Sequence, residues 1–186
     1  MKLRVLALII CCCGISSKLF AEIHPYGGIA LGLGIQKIGG AEDKATVSQL
    51  LKAESGVQLT SFLTTSVNIY GWRAASNDNN NDDENQPVRF EGISGGWDME
   101  LKLPLGSGVT PAGPYLRYGG HCWAASMTGL AQPWSKSGCS DLSAVGFTMP
   151  GDHRRLGRGT FYFEFSHTRF DDVTSRSINA GIRSLF

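Results

Sequence analysis

A serine and a histidine stand next to each other in the segment EFSHTRFDD, at Ser166 and His167. These two residue types could act as a nucleophile and its base in hydrolysis, provided that their side chains form a hydrogen bond. The surrounding residues alternate between apolar and polar, which predicts a strand, and neighbouring side chains of a strand leave from opposite faces. Thr168 shares the face of Ser166 and Glu164, and it brings no base to them. We therefore expect no catalytic residues here and no enzymatic activity.

The remaining candidate ligands are dispersed along the chain. His24, His121 and His153 fall at predicted strand ends or in a turn, far apart in sequence. The segment NDNNNDDENQ at 77–86 is acidic, but it lacks the glycine and the final glutamate of a calcium loop. We expect this segment to be a solvated loop tip, and we expect no metal site and no cofactor.

The amino-terminal residues predict export. A basic start followed by an apolar run and then small and polar residues is typical of a secretory signal peptide, here residues 1–21 with cleavage after Ala21. A lipoprotein site at one of the cysteines 11–13 is the alternative, but it requires a small residue in front and Ile10 is not one. The mature domain is expected to cover residues 22–186.

Two of the five cysteines, Cys122 and Cys139, lie outside the predicted signal. An even pair in an exported chain predicts a disulfide. The bridge would close a loop of about 17 residues and stabilise the fold by roughly 3 kcal/mol in the chain-entropy view. A metal site that uses both cysteines and His121 is the weaker alternative.

Charge and hydropathy exclude two classes of protein. Without the signal the chain keeps 14 of its 17 basic residues and all 16 acidic ones, a balance of −2 that does not suggest nucleic-acid binding. No apolar stretch of 18 residues remains, so we expect no membrane helix. A strand of a membrane barrel would not be detected in this way, because only every second residue faces lipid.

Alternation with a period of two recurs in YGGIALGLGIQ, WDMELKL, TFYFEFSH and SINAGIRSLF. One face of each segment is apolar, and the other is polar or small. In the middle of the predicted strands the second face carries charges, which a barrel would hold in its lumen as a network of ion pairs. The predicted lumen residues are Asp98, Glu100, Lys102, Arg117, Glu164 and Arg183. On a soluble sandwich or a lipocalin-like binder, the alternative class, the same residues would be solvated.

The connections between these segments complete the fold prediction. Gly- and Pro-rich turns are expected at 103–113 and 149–159, and a tighter turn, Leu-Thr-Thr, near 63–65. Longer polar loops are expected at 37–55, 76–89, 124–140 and 170–176, with a short helix over 44–53. The pattern predicts an all-β fold, an eight-stranded antiparallel transmembrane β-barrel with short periplasmic turns and longer extracellular loops. Its strands are expected at about 24–36, 56–63, 65–75, 90–103, 114–123, 141–149, 160–169 and 177–186.

The segments HPYGGIALGLG, GPYLRYGGHCWAAS, FYFEFSHTRFDD and INAGIRSLF together resemble the OmpA-like and opacity-type outer-membrane barrels. This resemblance implies a location in the outer membrane of a Gram-negative bacterium. It also implies that Phe186, with Ile182 and Ala180 on the same face, is the signal read by the barrel-assembly machinery. The paired cysteines are not a general feature of that family.

The resemblance implies a structural and surface-interaction role carried by the extracellular loops, in a protein expected to be a monomer. Its expected partners are outer-membrane lipid or lipopolysaccharide, the barrel-assembly machinery and a surface ligand of the loops. Eight strands leave an interior just wide enough for side chains, so a large pore is not expected.

The alternative function is a lipid A-modifying enzyme on the same barrel. The EFSHTRFDD stretch faintly resembles the PagL deacylases, which place a serine two residues after the histidine on one strand face. In this sequence Arg169 stands at that position after His167.

Overall fold

A computed structural model describes residues 23–38, 45–76, 88–106, 111–128, 134–151, 159–170 and 173–186. These ranges form eight β-strands: β1 (His24–Ile38), β2 (Ala45–Gln58), β3 (Leu63–Ser76), β4 (Val88–Lys102), β5 (Gly113–Thr128), β6 (Trp134–Pro150), β7 (Gly159–Phe170) and β8 (Val173–Leu185). Within the same ranges, no helix is long and apolar enough to cross a membrane.

The eight strands form one closed antiparallel barrel in sequence order, with β8 paired to β1. We start at Tyr26 on β1 and move from each residue to the residue directly paired with it on the next strand, until the path returns to β1 at Gln36. The start and end positions, 26 and 36, differ by ten residues, which is the shear of the barrel. For eight strands, this shear tilts each strand by about 40° from the barrel axis. The predicted fold class is therefore confirmed.

The distribution of side chains is the reverse of that in a soluble protein. Large apolar residues cover the outside, where Leu31 is 70 % exposed and Phe163 is 52 % exposed. Most of the interior positions carry polar, charged or aromatic side chains. Only a lipid environment covers such an exterior without cost, and a closed barrel leaves no unpaired strand edge inside the lipid. A soluble sandwich or lipocalin-like binder, which buries its apolar side chains, is excluded.

The second strand differs from the prediction. Residues 44–53 were expected to form a helix and 56–63 a strand, but β2 covers Ala45–Gln58 and pairs with β1 along its length. Leu, Lys, Gln and Glu favour helices, and this local preference led to the wrong prediction. The pairing of β2 with both of its neighbours closes the barrel and overrides that preference.

Several strands are also longer than predicted at the end opposite to the chain termini. We call that end the outer end, and we call the end that holds the termini the inner end. These names are used because the termini of outer-membrane barrels face the periplasm. The outer connections are shorter than predicted, at 39–44, 77–87, 129–133 and 171–172, while the inner ones span 59–62, 103–112 and 151–158. The outward positions of the added residues in β5, β6 and β8 include Ser126, Thr128, Ser135, Ser137 and Arg176, so the apolar half of the alternation is missing there.

Candidate functional site

Seven charged side chains meet in the inner half of the lumen, and all of them are buried. We call this group the lumen ion cluster. Its members come from five strands and face inward because they share the polar face of the alternation. They are Lys52, Glu54, Asp98, Glu100, Arg117, Glu164 and Arg183.

Arg117 on β5 lies at the centre of the lumen ion cluster. Its Nη1 atom is 3.1 Å from Oε2 of Glu54 and 3.2 Å from Oε2 of Glu164. Its Nη2 atom donates to Oε2 of Glu100 at 2.9 Å, and Asp98 is 3.8 Å away. One guanidinium thus links carboxylates from three other strands, β2, β4 and β7.

Arg183 on β8 links two of the same carboxylates from the opposite wall. Its Nε atom donates to Oε1 of Glu54 at 2.6 Å, and its Nη2 atom is 2.8 Å from Oε2 of Glu100. Lys52 completes the group, with Nζ 3.0 Å from Oε2 of Glu54 and 3.6 Å from Oε1 of Glu164. Most of these ion pairs therefore connect strands that are not neighbours in the sheet, and they fill the space between the walls.

Polar and aromatic side chains complete the cluster. The carboxylate of Asp98 accepts hydrogen bonds from Ser66 and Asn68 on the neighbouring strand. The hydroxyl of Tyr115 donates to Glu164 at 3.1 Å, and the guanidinium of Arg183 lies 4.5 Å from the centre of the ring of Tyr162. Because buried charges need such partners, these contacts are what allow seven ionisable groups to share a narrow lumen.

The structure brings together five of the six lumen residues proposed from sequence, namely Asp98, Glu100, Arg117, Glu164 and Arg183. The sixth, Lys102, is half-buried at the inner end of β4 and interacts electrostatically with Glu100. With Lys102, the described residues of the lumen include four cations and four carboxylates, so their formal charges balance.

Sequence reasoning missed Lys52 and Glu54, because both were placed in a loop with a helix. A usable signal was present in the sequence. In a strand, Val47, Gln49 and Leu51 share one face. Ser48, Leu50, Lys52 and Glu54 share the other face. Only the adjacent apolar residues Leu50 and Leu51 interrupt the alternation.

The outer half of the lumen is closed by apolar and aromatic side chains. Trp72 stacks on Phe170 with ring centres 4.8 Å apart, and Trp123 meets the same ring edge-on at 5.5 Å. Between this aromatic layer and the ion cluster lies a cavity of about 20 Å³, lined in part by His121 and Ser166. A cavity of that volume accommodates about one water molecule, so the lumen provides no continuous passage along the described strands.

The predicted disulfide is present. Cys122 on β5 and Cys139 on β6 are directly opposite each other in the ladder, and both side chains are on the outer wall of the barrel. The sequence placed the bridge at the base of a loop over 124–140, but the two strands continue for several residues beyond it. The bridge therefore fixes the middle of a hairpin.

Loss of this bridge should weaken the barrel without preventing its assembly. For the double variant Cys122→Ser/Cys139→Ser we expect the free energy of unfolding to fall by up to about 3 kcal/mol, because the bridge restricts the unfolded chain. Urea titration in detergent, followed by gel migration of unboiled samples, measures the loss. Wild-type protein treated with dithiothreitol is the matched control and should lose the same amount. Equal stability of oxidised, reduced and variant protein would contradict the prediction.

The residues proposed as the assembly signal lie on and just after the last strand. Ala180 and Ile182 face outward on β8. Phe186 is 80 % exposed, and its N–H donates to the carbonyl oxygen of Pro25 at 3.0 Å. The last residue is therefore held beside the first strand, and its recognition by the assembly machinery stays a prediction.

The serine and histidine of EFSHTRFDD point in opposite directions on β7. Ser166 is buried in the lumen, where its hydroxyl is 2.6 Å from that of Ser177 and accepts a hydrogen bond from Asn179. His167 is exposed on the outer wall. The two side chains are thus on opposite sides of the barrel wall.

No protein-family model and no curated protein matches the sequence. Solved structures of outer-membrane barrels do match the fold. Neisserial surface protein A (NspA) matches with a TM-score of 0.67 at 12 % identity, covering 87 % of this chain and 97 % of that chain. Ail, the attachment invasion locus protein of Yersinia pestis, in complex with the heparin analogue sucrose octasulfate, gives 0.56 at 14 % identity, covering 89 % and 99 %.

A third similar structure is the N-terminal β-barrel domain of Pseudomonas aeruginosa OprF, with a TM-score of 0.51 at 8 % identity, covering 86 % of this chain and 97 % of that chain. Identities this low carry information on the fold alone. The closed eight-stranded sheet, the apolar outer wall and the filled polar lumen agree with that fold. The chain is an eight-stranded outer-membrane β-barrel with the OmpA-like fold.

Proposed function

We propose that the protein is a structural and surface-interaction barrel whose outer end makes contacts outside the cell. The observation that carries this proposal is the filled lumen. The ion cluster in the inner half and the aromatic layer around Trp72 and Phe170 in the outer half occupy the interior. Because the interior formed by the described strands offers neither a passage nor a cleft for a substrate, the outer wall and the outer end are the surfaces left for function.

Lipid and lipopolysaccharide are the proposed partners of the outer wall. The apolar side chains of the outer wall contact the acyl chains of lipid. Positively charged side chains lie at the boundary of this apolar surface that is nearer to the outer end. Lys37 follows Ile35 on the outward face of β1, and Arg176 precedes Ile178 on that of β8. Such cations suit the phosphates of lipid head groups. We further propose a monomer whose assembly depends on the terminal Phe186.

We propose that this barrel has no catalytic activity, in contrast to a lipid A deacylase. The positions of Ser166 and His167 on opposite sides of the wall support this, since a nucleophile and its base must be within hydrogen-bond reach. The mass spectrum of lipid A from cells that express the protein should therefore match that of cells that lack it. Loss of an acyl chain on expression, abolished in His167→Ala, would contradict this prediction.

Cell attachment tests the surface role. Bacteria that express the wild type should bind to immobilised serum and matrix proteins more strongly than bacteria without it. Replacement of 39–44, 77–87 and 129–133 by short Gly-Ser turns should remove that gain, because these segments connect the strands whose ends lie at the outer end. Faster gel migration of the unboiled variant shows that its barrel is folded. Unchanged attachment by the folded variant would overturn the proposal.

A further inference from the structure

The disulfide between Cys122 and Cys139 lies on the outer wall of the barrel rather than in its interior. Both cysteines are exposed, and they are directly paired in the ladder between β5 and β6. This ladder extends on both sides of the bridge, from Gly113 to Met127 of β5. Backbone pairing therefore holds the two strands together along their length, and the bridge is a surface feature of an intact hairpin.

The residues around Cys122 on the outer wall are small. Gly120 and Ala124 are its neighbours on the same face of β5, and Gly95 is directly opposite on β4. A Cβ atom added at Gly95 would be 3.6 Å from the nearest atom, the carbonyl oxygen of Asn68, so the space above this glycine is open. None of the three neighbours has a side chain long enough to cover the sulfur atom of Cys122.

The bridge lies on the polar side of the membrane boundary. On β6 the outward residues next to Cys139 are Ser137 and Asp141, and both are exposed. Tyr118, which forms a hydrogen bond with Asp141, lies nearer to the inner end on β5. Tyrosine is typical of the level at which a barrel leaves the hydrocarbon region, so the bridge beyond it is within reach of groups dissolved in water.

We propose that the bridge is a site of thiol–disulfide exchange, at which a partner outside the cell that carries a free thiol is captured covalently on Cys122. Exposed disulfides are the ones that exchange, whereas structural disulfides resist reduction. The incoming thiolate forms a bond to Sγ of Cys122, and the bond between this atom and Sγ of Cys139 breaks. The electron pair of the broken bond remains on Cys139, which takes a proton from water. The partner thiol is oxidised and Cys139 is reduced, so the step needs no other oxidant or reductant.

The line of approach selects Cys122 as the sulfur atom that is attacked. A thiolate approaches a disulfide along the extension of the S–S bond, because the orbital that receives its electrons lies there. The bridge runs from β5 to β6, so an attack on Cys122 comes from the side of β4 and passes over Gly95. The exposed side chains of Ile93 and Trp97 lie on either side of this glycine along β4. The sequence of β4 thus leaves an opening one residue wide beside the bridge.

Charge favours the same sulfur atom. A thiolate that approached Cys139 would come close to the carboxylate of Asp141, which is two residues away on the same face of β6. Negative charges that are close together repel each other. The approach to Cys122 passes the uncharged Gly95, so we expect the partner to be bound to Cys122 and Cys139 to be released as a free thiol.

The partner is defined by its thiol, which must be accessible and partly ionised at neutral pH. A small-molecule thiol and a cysteine on a protein surface share this chemistry. The inference goes beyond the proposed surface role, because it adds a covalent bond to the contacts at the outer end and requires none of the outer connections.

Exchange with two probes tests the inference on the folded wild-type barrel in nanodiscs. The probes are reduced glutathione and a small folded protein that carries one engineered surface cysteine. Samples are quenched with N-ethylmaleimide at timed intervals and digested with trypsin, which separates the two cysteines by cleavage after Lys136. Mass spectrometry should find the probe on Cys122 and N-ethylmaleimide on Cys139. Reaction with both probes identifies protein thiols as partners, and reaction with glutathione alone identifies small thiols.

Two valine substitutions test the line of approach. Gly95→Val and Gly120→Val add the same side chain next to Cys122, but only the first lies between β4 and the bridge. At Gly120 an added Cβ atom would be 3.8 Å from Nε1 of Trp97, an ordinary contact. We expect the initial rate of exchange to fall by about tenfold or more in Gly95→Val and by less than about threefold in Gly120→Val. Faster gel migration of the unboiled variants shows that both barrels are folded.

Three results would overturn the inference: neither probe forms a mixed disulfide with the folded barrel, the probe is found on Cys139, or the two valine variants exchange at the same rate. Each of these results leaves the proposed function standing, because attachment through the outer connections requires no exchange at the bridge. Conversely, a failure of the attachment experiment would not change the rate of exchange.

Discussion

Replacement of Arg117 by methionine should lower the free energy of unfolding of the barrel by about 3–5 kcal/mol, the usual cost of removing one partner from a buried ion pair. Arg117 contacts Glu54, Glu100 and Glu164 at 2.9–3.2 Å, and all four side chains are buried. Methionine fills much of the same volume, so the loss reflects unpaired carboxylates rather than a cavity. Equilibrium unfolding in urea, in detergent micelles and followed by tryptophan fluorescence, measures the change.

The control is the same substitution at an arginine outside the lumen. Arg73 is exposed on the outer wall of β3, directly opposite Glu91 on β4. Arg73→Met should cost less than about 1 kcal/mol, because an exposed charge pair contributes little. Equal losses for the two variants would show that the ion cluster does not govern stability.

A second substitution separates loss of charge pairing from general damage. In Arg117→Met the described lumen keeps all four carboxylates but loses one of its cations, and Glu164→Gln would remove one negative charge. We therefore expect the double variant Arg117→Met/Glu164→Gln to be more stable than the sum of the two single losses predicts, with a coupling energy of about 1 kcal/mol or more. Strict additivity would contradict an interaction between the two side chains at 3.2 Å.

The alternation of side chains made the fold predictable from the sequence. In strands such as β7, Phe161, Phe163 and Phe165 on one face and Tyr162 and Glu164 on the other identify the lipid side and the lumen side without any structure. The same rule placed five charges in one enclosed space. It could not give the pairs that they form, because these depend on the shear that sets which strands face each other across the lumen.

Two parts of the structure could not be predicted for a different reason. In β2, Leu50 points into the lumen next to the outward Leu51, and the two adjacent leucines mask the period of two. In the outer part of β6 both faces are polar, so the alternation carries no contrast. In each case pairing with neighbouring strands decides the conformation, and a single sequence does not encode that pairing in a local pattern.

A methyl group added at Gly96 should destabilise the barrel strongly, whereas the same change at the neighbouring Gly95 should not. Gly96 lies on β4 between the strands β3 and β5, opposite Asn68 and His121. A Cβ atom there would be 2.1 Å from the carbonyl oxygen of Gly120 and 2.8 Å from Cα of His121. Because these are backbone atoms of the adjacent strand, the ladder itself would have to move.

For Gly96→Ala we expect a loss of about 1–3 kcal/mol or more in the free energy of unfolding, as for other overpacked interiors. Gly95→Ala is the matched control on the same strand. Its Cβ would be 3.6 Å from the nearest atom, the carbonyl oxygen of Asn68, which is an ordinary contact. We expect this variant to be unchanged or more stable by up to about 1 kcal/mol, because alanine restricts the unfolded chain.

The difference between the two variants isolates the close approach of β4 and β5, because each adds the same methyl group to the same strand. Gly96→Ala should show a smaller fraction of fast-migrating, unboiled protein after refolding into detergent, and its urea midpoint should shift to lower concentration. If Gly95→Ala were the more damaging of the two, the inward and outward faces of β4 would be exchanged. That exchange would move Asp98 and Glu100 out of the lumen and leave Arg117 without two of its partners. The comparison of Gly96→Ala with Gly95→Ala therefore also tests the strand register on which the ion cluster depends.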